Sequence, residues 1–346
     1  MNKILPDILK SGKKDAIAIS VPNDENIDYQ NLIDLVNKTS DKLYSFGTES
    51  EKPIVIVLTN NAEFIITFLA VTNTNAVAAP LNPEFTDEEF KFYLGDIKPS
   101  LVITTEDHNI IPQANSEGIP VSTVAFNNGS LDIKFNSPPL KKKDLTKPTE
   151  NNSCLFLHTS GTTSRPKGVP LKHENLIKSL SNIVNTYELN SDDTAMVVMP
   201  LFHVHGLIGV ALSTLASGGK IVIPGKFSAS TFWEIQKNYN ATWYSAVPTI
   251  HQILLIRADQ DNAPKESFRF IRSCSAALAP SVLSDLEKRF GAPVLEAYGM
   301  TEAAHQMSSN PLPPNQRKAG SVGKPTGVDI SIMSMEKIGQ MLENNQ

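Results

Sequence analysis

The chain has 346 residues, of which 40% are hydrophobic and 19% are charged, as expected for a globular protein with one large domain or two ordinary ones. Its 31 basic and 36 acidic side chains give a net charge of −5, which argues against a surface built for nucleic acid or anionic membrane. The 2 cysteines, Cys154 and Cys274, are too few for a disulfide framework or a cysteine-rich zinc site. We therefore expect a soluble protein of a reducing, intracellular compartment.

No apolar run reaches the roughly 20 residues that cross a bilayer. The best run, residues 64–71, is followed at once by Thr72 and Asn73. The first 15 residues contain lysines but no sustained apolar core, so they do not predict a secretory signal. We expect no transmembrane segment.

Short apolar runs alternate along the chain with amphipathic stretches. The runs predicted as buried strands are residues 54–58, 101–104, 155–158, 197–199, 220–223, 242–247 and 270–273. Helical spacing of apolar residues predicts helices around residues 176–184 and 280–291, the second with Pro280 at its start and Gly291 at its end. This alternation predicts an α/β fold of mainly parallel sheets covered by helices.

Residues 131–153 interrupt the alternation with prolines, polar residues and a run of three lysines, and they predict a linker or long surface loop. We therefore expect a first α/β subdomain at residues 1–150 and a second at 154–325. Residues 330–333 look like a strand, so residues 326–346 predict the start of a β subdomain. The chain then stops without a capping element, from which we expect an incomplete chain.

The strongest chemical signal is the stretch TSGTTSRPKG at residues 159–168, directly after a predicted strand. It offers backbone N–H groups, hydroxyls and the cations of Arg165 and Lys167 together, and phosphate oxygens bind all three. It is not a Walker A loop, because its lysine precedes the glycine and Val169 and Pro170 follow. The stretch predicts a phosphate site of another kind.

This loop resembles the phosphate-binding signature of the adenylate-forming superfamily, which includes acyl-CoA synthetases, peptide-synthetase adenylation domains and luciferases. Two further stretches match in the same order. MPLFHVHG at 199–206 resembles the histidine-bearing motif near the acyl site, and EAYGMTE at 296–302 resembles the adenylate-binding motif. The segments 201–209, 272–280 and 296–314 resemble oxalate–CoA ligases more than coumarate or fatty-acid ligases.

The resemblance extends over essentially the whole chain and implies a large N-terminal domain of two layered, mainly parallel α/β subdomains plus the start of a third, β subdomain. The ribose-binding aspartate, the hinge and the C-terminal domain with its catalytic lysine have no match. We therefore expect the C-terminal domain to be absent and this chain to be inactive or impaired in acyl-CoA formation.

The implied reaction joins an acid to coenzyme A in two steps: a carboxylate attacks the α-phosphorus of ATP and expels pyrophosphate, and the thiol then takes the acyl group. Both partners of the first step are anions, so the site needs cations, donors and Mg²⁺. We expect Lys167, Thr301 and Glu302 to be catalytic, with Thr301 donating to the α-phosphate and Glu302 holding Mg²⁺. The expected ligands of the ATP phosphates are Thr159, Ser160, Gly161, Thr162, Thr163 and Lys167.

The same resemblance places Tyr298 beside the adenine, where an aromatic face is suitable. The rest of the expected adenine and AMP set is Ser275, Ala276, Ala277, Glu296, Ala297 and Thr301. Lys226 resembles a position near the CoA phosphates, although an exposed loop lysine explains it equally well.

His203 and His205 alternate, so both would point the same way from a strand or an extended loop. Neither their spacing nor a companion cysteine argues for zinc. By the resemblance His203 borders the acyl group, whereas a structural role is the alternative, more so for His205. His305 suits a small anionic acid, and with His203, His205 and Ser275 it is expected to bind the distal carboxylate of oxalate.

We therefore predict an ATP-dependent acid–CoA ligase for a small acid, first of all oxalate, with ATP, Mg²⁺ and coenzyme A as its cofactors and co-substrates. Its expected location is the cytoplasm or the peroxisome, and no nucleic-acid partner is expected. Two alternatives remain open: a non-catalytic nucleotide-binding remnant, and a ligase for another acid, such as an aryl or fatty acid.

Overall fold

The computed structural model describes residues 3–24, 26–127, 129–140, 146–159, 166–334 and 341. Strands and helices alternate through most of this part of the chain. The strands, in chain order, are β1 (Ile17–Ser20), β2 (Ile27–Asp28), β3 (Pro53–Val57), β4 (Val77–Pro80), β5 (Leu101–Thr104), β6 (Val121–Asn127), β7 (Ser130–Phe135), β8 (Ser153–Thr159), β9 (Lys167–Lys172), β10 (Thr194–Met196), β11 (Lys220–Val222), β12 (Trp243–Ala246), β13 (Phe270–Ser273), β14 (Val294–Met300), β15 (His305–Ser309) and β16 (Lys324–Pro325).

The α-helices carry most of the apolar surface that covers these strands. They are α1 (Tyr29–Phe46), α2 (Ala62–Asn73), α3 (Asp87–Ile97), α4 (Ile110–Ser116), α5 (His173–Tyr187), α6 (Val204–Gly206), α7 (Ser213–Ala216), α8 (Ala229–Tyr239), α9 (Pro248–Arg257) and α10 (Pro280–Phe290). A π-helical turn, Leu207–Leu212, joins α6 to α7, and short 3₁₀ helices lie at Leu5–Ser11 and Thr301–Ala303. None of the helices in the described ranges has both the length and the apolar character needed to traverse a bilayer.

The strands form two sheets that are parallel in their interiors and antiparallel at their edges. The seven-stranded sheet has the order β7-β6-β5-β3-β4-β8-β9, and only the outer pairs β6–β7 and β8–β9 are antiparallel. The nine-stranded sheet has the order β16-β15-β14-β13-β12-β10-β11-β1-β2, with five parallel pairs from β14 to β1. The predicted α/β fold with mainly parallel sheets is confirmed.

The two sheets share one continuous apolar core, although they do not divide the chain where the sequence predicted. Ile54 of β3 and Ile221 of β11, from different sheets, belong to the same buried cluster. β1 and β2 pair with the sheet formed by the second half of the chain, whereas β8 and β9 complete the sheet of the first half. The predicted boundary at residues 150–154 therefore does not separate the sheets, because each half supplies a strand pair to the other.

The apolar run at residues 64–71 lies in α2, which is buried almost all round, as expected for a helix that is hydrophobic on every face. Asn61 caps this helix by accepting a hydrogen bond from the N–H of Ala62 at 2.9 Å. Helix α10 begins at Pro280 and ends before Gly291, whose φ of 67° suits a residue without a side chain. Both predicted ends of α10 are therefore confirmed.

Several predicted strands differ from the structure by one or two residues at their ends, and three predicted segments differ by more. The segment predicted as a linker from residue 131 begins as β7, which forms an antiparallel hairpin with β6 and pairs Phe126 with Leu131. The strand predicted at 197–199 lies at Thr194–Met196, the residues that are in register with β11 and β12. Within the strand predicted at 330–333, Met333 alone makes an isolated antiparallel bridge, to Met341. The lysine run 141–143 lies outside the described residues.

Candidate active site

A cavity of about 650 Å³ lies where the carboxyl ends of parallel strands from both sheets meet. The seven-stranded sheet contributes the residues after β4 and at the end of β8, and the nine-stranded sheet those after β10, β12, β13 and β14. Ligands of open α/β sheets bind at this edge, and the volume is within the range of small-molecule sites. The residues expected to bear chemistry that line this cavity are Thr159, His203, His205, Ser275, Thr301, Glu302 and His305.

The four residues expected at the acid all line this cavity, but His203 and His205 are not presented by a strand. His203 is extended and precedes α6, whereas His205 lies within that short helix. The prediction that both histidines point the same way from a strand is therefore wrong. His203 is exposed, and His205 is buried with 3% of its surface accessible.

His205 is held between two serines. Its Nδ1 lies 3.0 Å from Oγ of Ser275, and its Nε2 lies 2.7 Å from Oγ of Ser245. The His205 and His305 rings are nearly parallel, with centroids 5.6 Å apart. Three of the predicted acid-site residues, His205, His305 and Ser275, therefore form one compact group at the cavity wall.

The backbone is strained where two of these residues sit. Ser275, in the loop after β13, has a φ of 71°, and His305, the first residue of β15, has a φ of 100°. L-residues rarely adopt these values, and such strain persists where the surrounding structure fixes the conformation. Both side chains are thus held in position by their main chain as well as by their contacts.

Arg272 lies behind this group and is completely buried in β13. Its Nη2 is 3.0 Å from Nε2 of His305, and its Nη1 donates to Oγ of Ser245 at 3.0 Å. Its Nε donates to the Tyr187 hydroxyl at 2.8 Å. The sequence analysis assigned no role to Arg272, although a charged residue in the middle of an otherwise apolar strand signals a buried polar site.

Burial and the Arg272 cation keep both histidines neutral. Burial lowers the pKa of His205 well below its ordinary value, and the charge of Arg272 lowers it further. The pKa of His305 is lowered well below its ordinary value for the same two reasons, in the same order. Near neutral pH the histidines therefore act as hydrogen-bonding groups without charge, and the guanidinium carries the positive charge.

The phosphate side of the cavity is formed by strand ends and a hairpin. Thr159 ends β8, and it faces Lys167, the first residue of β9, in the antiparallel register. The loop therefore joins two antiparallel strands, unlike a Walker A loop, which leads from a strand into a helix. Lys167 is exposed and is not among the residues that line the cavity. Four predicted phosphate ligands lie outside the described residues: Ser160, Gly161, Thr162 and Thr163.

Thr301 and Glu302 form a short 3₁₀ helix directly after β14, and both line the cavity. Within the described ranges, no group of three histidine, cysteine, aspartate or glutamate side chains is placed to hold a metal ion. Mg²⁺ in nucleotide sites is commonly held by one or two carboxylates together with substrate phosphates. The single exposed carboxylate of Glu302 fits that donor set.

The predicted adenine set is spread over β14 and the loop after β13. Tyr298 is 46% exposed, so its ring is accessible, and Ala276 and Ala277 are exposed beside Ser275. Glu296 is buried and accepts a hydrogen bond from the N–H of Gly320 at 2.9 Å, and burial raises its pKa. Of this set, Ser275 and Thr301 line the cavity, whereas Ala276, Ala277, Glu296, Ala297 and Tyr298 do not.

Lys226 follows β11 in an exposed loop and is not among the residues that line the cavity. Its Nζ forms an ion pair with Glu84 at 2.5 Å. Glu84 lies next to Phe85, which lines the cavity, so the ion pair joins the lysine to the neighbour of a lining residue. Its predicted contact with coenzyme A stays a prediction.

Comparison with known proteins places the chain in a family. The family model described as AMP-binding enzyme matches residues 10–344. An oxalate–CoA ligase of Arabidopsis thaliana is 46% identical over 342 residues, which cover 96% of this chain and 66% of that protein. An oxalate–CoA ligase of Saccharomyces cerevisiae is 40% identical over 358 residues, covering 92% of this chain and 65% of that protein. This chain thus spans about two thirds of the length of these relatives.

The fold also matches solved structures. ATP-bound MatB from Rhodopseudomonas palustris superposes with a TM-score of 0.85 at 24% identity, over 100% of this chain and 69% of that one. This likeness supports the fold, and the sequence matches support the family. Because the family model covers nearly the whole chain, the protein belongs to the AMP-binding enzyme family.

Proposed function

We propose that this protein activates a small dicarboxylic acid, oxalate, as an acyl-adenylate at the expense of ATP and passes the acyl group to coenzyme A. The observation that carries the proposal is the acid end of the cavity, where neutral histidines and a serine lie in front of a buried arginine. An apolar acyl pocket would lack these groups. The identity to oxalate–CoA ligases supports the same choice.

The first step joins two anions. One carboxylate oxygen of the acid attacks the α-phosphorus, the bond from that phosphorus to the bridging oxygen breaks, and pyrophosphate leaves with the electron pair. In this proposal Thr301, on the cavity wall, donates to an α-phosphate oxygen. Lys167, which faces the cavity-lining Thr159 across the hairpin, supplies a cation to the leaving phosphates. Mg²⁺ held with the help of Glu302 would neutralise phosphate charge.

The second carboxylate of oxalate stays anionic on the adjacent carbon during this step. Leaving it buried without partners would cost several kcal/mol. His203, Ser275 and His305 offer it hydrogen-bond donors. A long acyl chain would leave these polar groups unpaired, which disfavours a fatty acid.

In the second step the thiol of coenzyme A loses its proton and attacks the acyl carbon, and the bond from that carbon to the phosphate oxygen breaks. AMP leaves with the electron pair of that bond.

The direct test is calorimetric titration of the protein with MgATP and then with oxalate, for wild type and His305→Ala, with acid-dependent pyrophosphate release followed in the same samples. We expect His305→Ala to weaken oxalate binding by about 10-fold and to leave MgATP binding unchanged, which makes MgATP the internal control. MgATP binding without binding of any acid would indicate the non-catalytic alternative. Tighter binding of an aryl or fatty acid than of oxalate would refute the assignment of the acid.

A further inference from the structure

Arg272 is a completely buried cation, and its side chain interacts with hydroxyls, an imidazole, an amide and the thiol of Cys274. Its guanidinium contacts the hydroxyls of Tyr187 and Ser245, Nε2 of His305 and, from Nη2 at 3.1 Å, Oε1 of Gln306. No carboxylate among the described residues forms an ion pair with it. A completely buried charge normally has a counter-charge, so this arrangement leaves a positive charge available to an anion in the cavity.

The contact with His305 fixes which ring nitrogen carries the proton. A guanidinium has donors and no acceptor, so Nε2 of His305 must accept the hydrogen bond from Nη2 of Arg272. The proton of the neutral ring is then on Nδ1. No hydrogen bond joins that nitrogen to another described residue, and the His305 ring lines the cavity. Nδ1–H is therefore free to donate to a ligand.

Arg272 is thus connected to the cavity by one path of hydrogen bonds, through His305. A second path of hydrogen bonds runs from Arg272 to the cavity through Ser245 and His205. Ser245 and Arg272 are direct neighbours in the parallel register of β12 and β13. Oγ of Ser245 accepts from Nη1, and the only other partner of this hydroxyl among the described residues is Nε2 of His205. The hydroxyl proton therefore points to Nε2, His205 carries its proton on Nδ1, and Nδ1–H donates to Ser275.

We propose that Arg272 is a positioning residue that holds His205 and His305 in the Nδ1–H tautomer, so that the cavity offers donors to an anionic carboxylate. The donors at the ends of the two paths are the Ser275 hydroxyl and Nδ1–H of His305. This inference rests on the proposed function, because the second carboxylate of oxalate is the anion that these donors would meet. Without Arg272 either ring is free to turn a lone pair towards that anion.

Nuclear magnetic resonance of protein labelled with ¹⁵N at histidine tests the tautomers directly, because protonated and unprotonated ring nitrogens have well separated shifts. The His205 and His305 signals are assigned by single substitution to glutamine. We expect the Nδ1–H form for both rings in the wild type, and a shift towards Nε2–H at His305 in Arg272→Met. Protonated Nε2 at His305 in the wild type would overturn the proposal.

Binding of oxalate in the presence of MgATP supplies the second readout. Arg272→Met should weaken oxalate by about 10- to 100-fold, as expected for loss of a hydrogen-bonding charge, and leave MgATP unchanged. Because that variant removes a large buried side chain, Ser245→Ala provides a smaller change that breaks only the path to His205. We expect Ser245→Ala to weaken oxalate binding by about 2- to 10-fold. We also expect His205 to populate both neutral tautomers in this variant.

Ser273→Ala is the matched control. Ser273 is also a buried strand serine, on β13 beside Arg272, but its hydroxyl has no hydrogen-bond partner among the residues that the structure describes. It should change neither the tautomers nor the affinity. Oxalate binding that is equal in wild type, Arg272→Met and Ser245→Ala would refute the positioning role. If the wild type binds no oxalate, the proposed function fails, and the histidine spectra still decide the tautomers.

Discussion

Gly209 lies in the π-helical turn against the ring of His305. A methyl group added at this position tests whether the His305 ring is fixed in place. A Cβ at this position would lie 2.3 Å from Nε2 and 2.7 Å from Cδ2 of His305. Ordinary contacts of carbon atoms are about 3.5–4.0 Å, so the ring must move by about 1 Å. His305 is 2% exposed and hydrogen-bonded to Arg272, so this movement would disturb its packing and lengthen that hydrogen bond.

We expect Gly209→Ala to destabilise the protein by about 2–4 kcal/mol, from overpacking of the core and weakening of the hydrogen bond with Arg272. Gly95→Ala is the matched control. Gly95 is an exposed residue of α3, and a Cβ there meets no atom within 4 Å. Alanine should stabilise that helix by about 0.5–1 kcal/mol.

Thermal unfolding of the two variants and of the wild type measures the difference, and oxalate titration reports the site. Gly209→Ala should have a clearly lower Tm than Gly95→Ala and a weaker affinity for oxalate. If Gly209→Ala unfolds at the wild-type temperature and binds oxalate as the wild type does, the contact between the π-helical turn and His305 is not as the structure has it.

Three further predictions concern other parts of the molecule. Lys167→Ala should weaken MgATP binding by about 10- to 100-fold in calorimetry, and unchanged affinity would remove it from the phosphate site. Burial lowers the pKa of both His173 and His251 from 6.5 to about 4. Between these pH values the unfolded chain binds more protons than the folded one, so each histidine should lower the free energy of unfolding by about 2 kcal/mol at pH 5. An equal Tm at pH 7.5 and pH 5 would contradict this. Lys226→Ala, which breaks an exposed ion pair with Glu84, should leave the Tm within about 2 °C of the wild type, and a larger decrease would show that the pair is structural.

The fold was predictable where local patterns decide it. Residues 101–104 are a continuous apolar or β-branched run and form a strand with the predicted bounds. Residues 270–273 also form a strand with the predicted bounds, although Arg272 and Ser273 follow its two apolar residues. What the sequence does not encode locally is the partner of each strand. The exchange of β1–β2 and β8–β9 between the sheets depends on how the whole chain packs, since any of these strands would look the same in either sheet.

The candidate site was predictable through its motifs, and the supporting residues were not. His203, Ser275 and His305, which the motifs singled out, line one cavity, and their role at the acid stays a prediction. The role of Arg272 could not be predicted from the sequence, because it depends on neighbours from other strands and helices, among them Tyr187 at the end of α5. Burial of a charge is a property of the assembled core, so no motif spacing reports it. The expected roles at phosphate, adenine and coenzyme A, and the location in cytoplasm or peroxisome, stay predictions.

The most direct test of the central claim is the relative affinity of the protein for oxalate, octanoate and coumarate, titrated in the presence of a non-hydrolysable MgATP analogue. The cavity wall of histidines and serine backed by Arg272 predicts that oxalate binds at least about 10-fold more tightly than either other acid, because a long or aromatic acyl group would leave those donors unpaired. Octanoate or coumarate binding more tightly than oxalate would contradict the account.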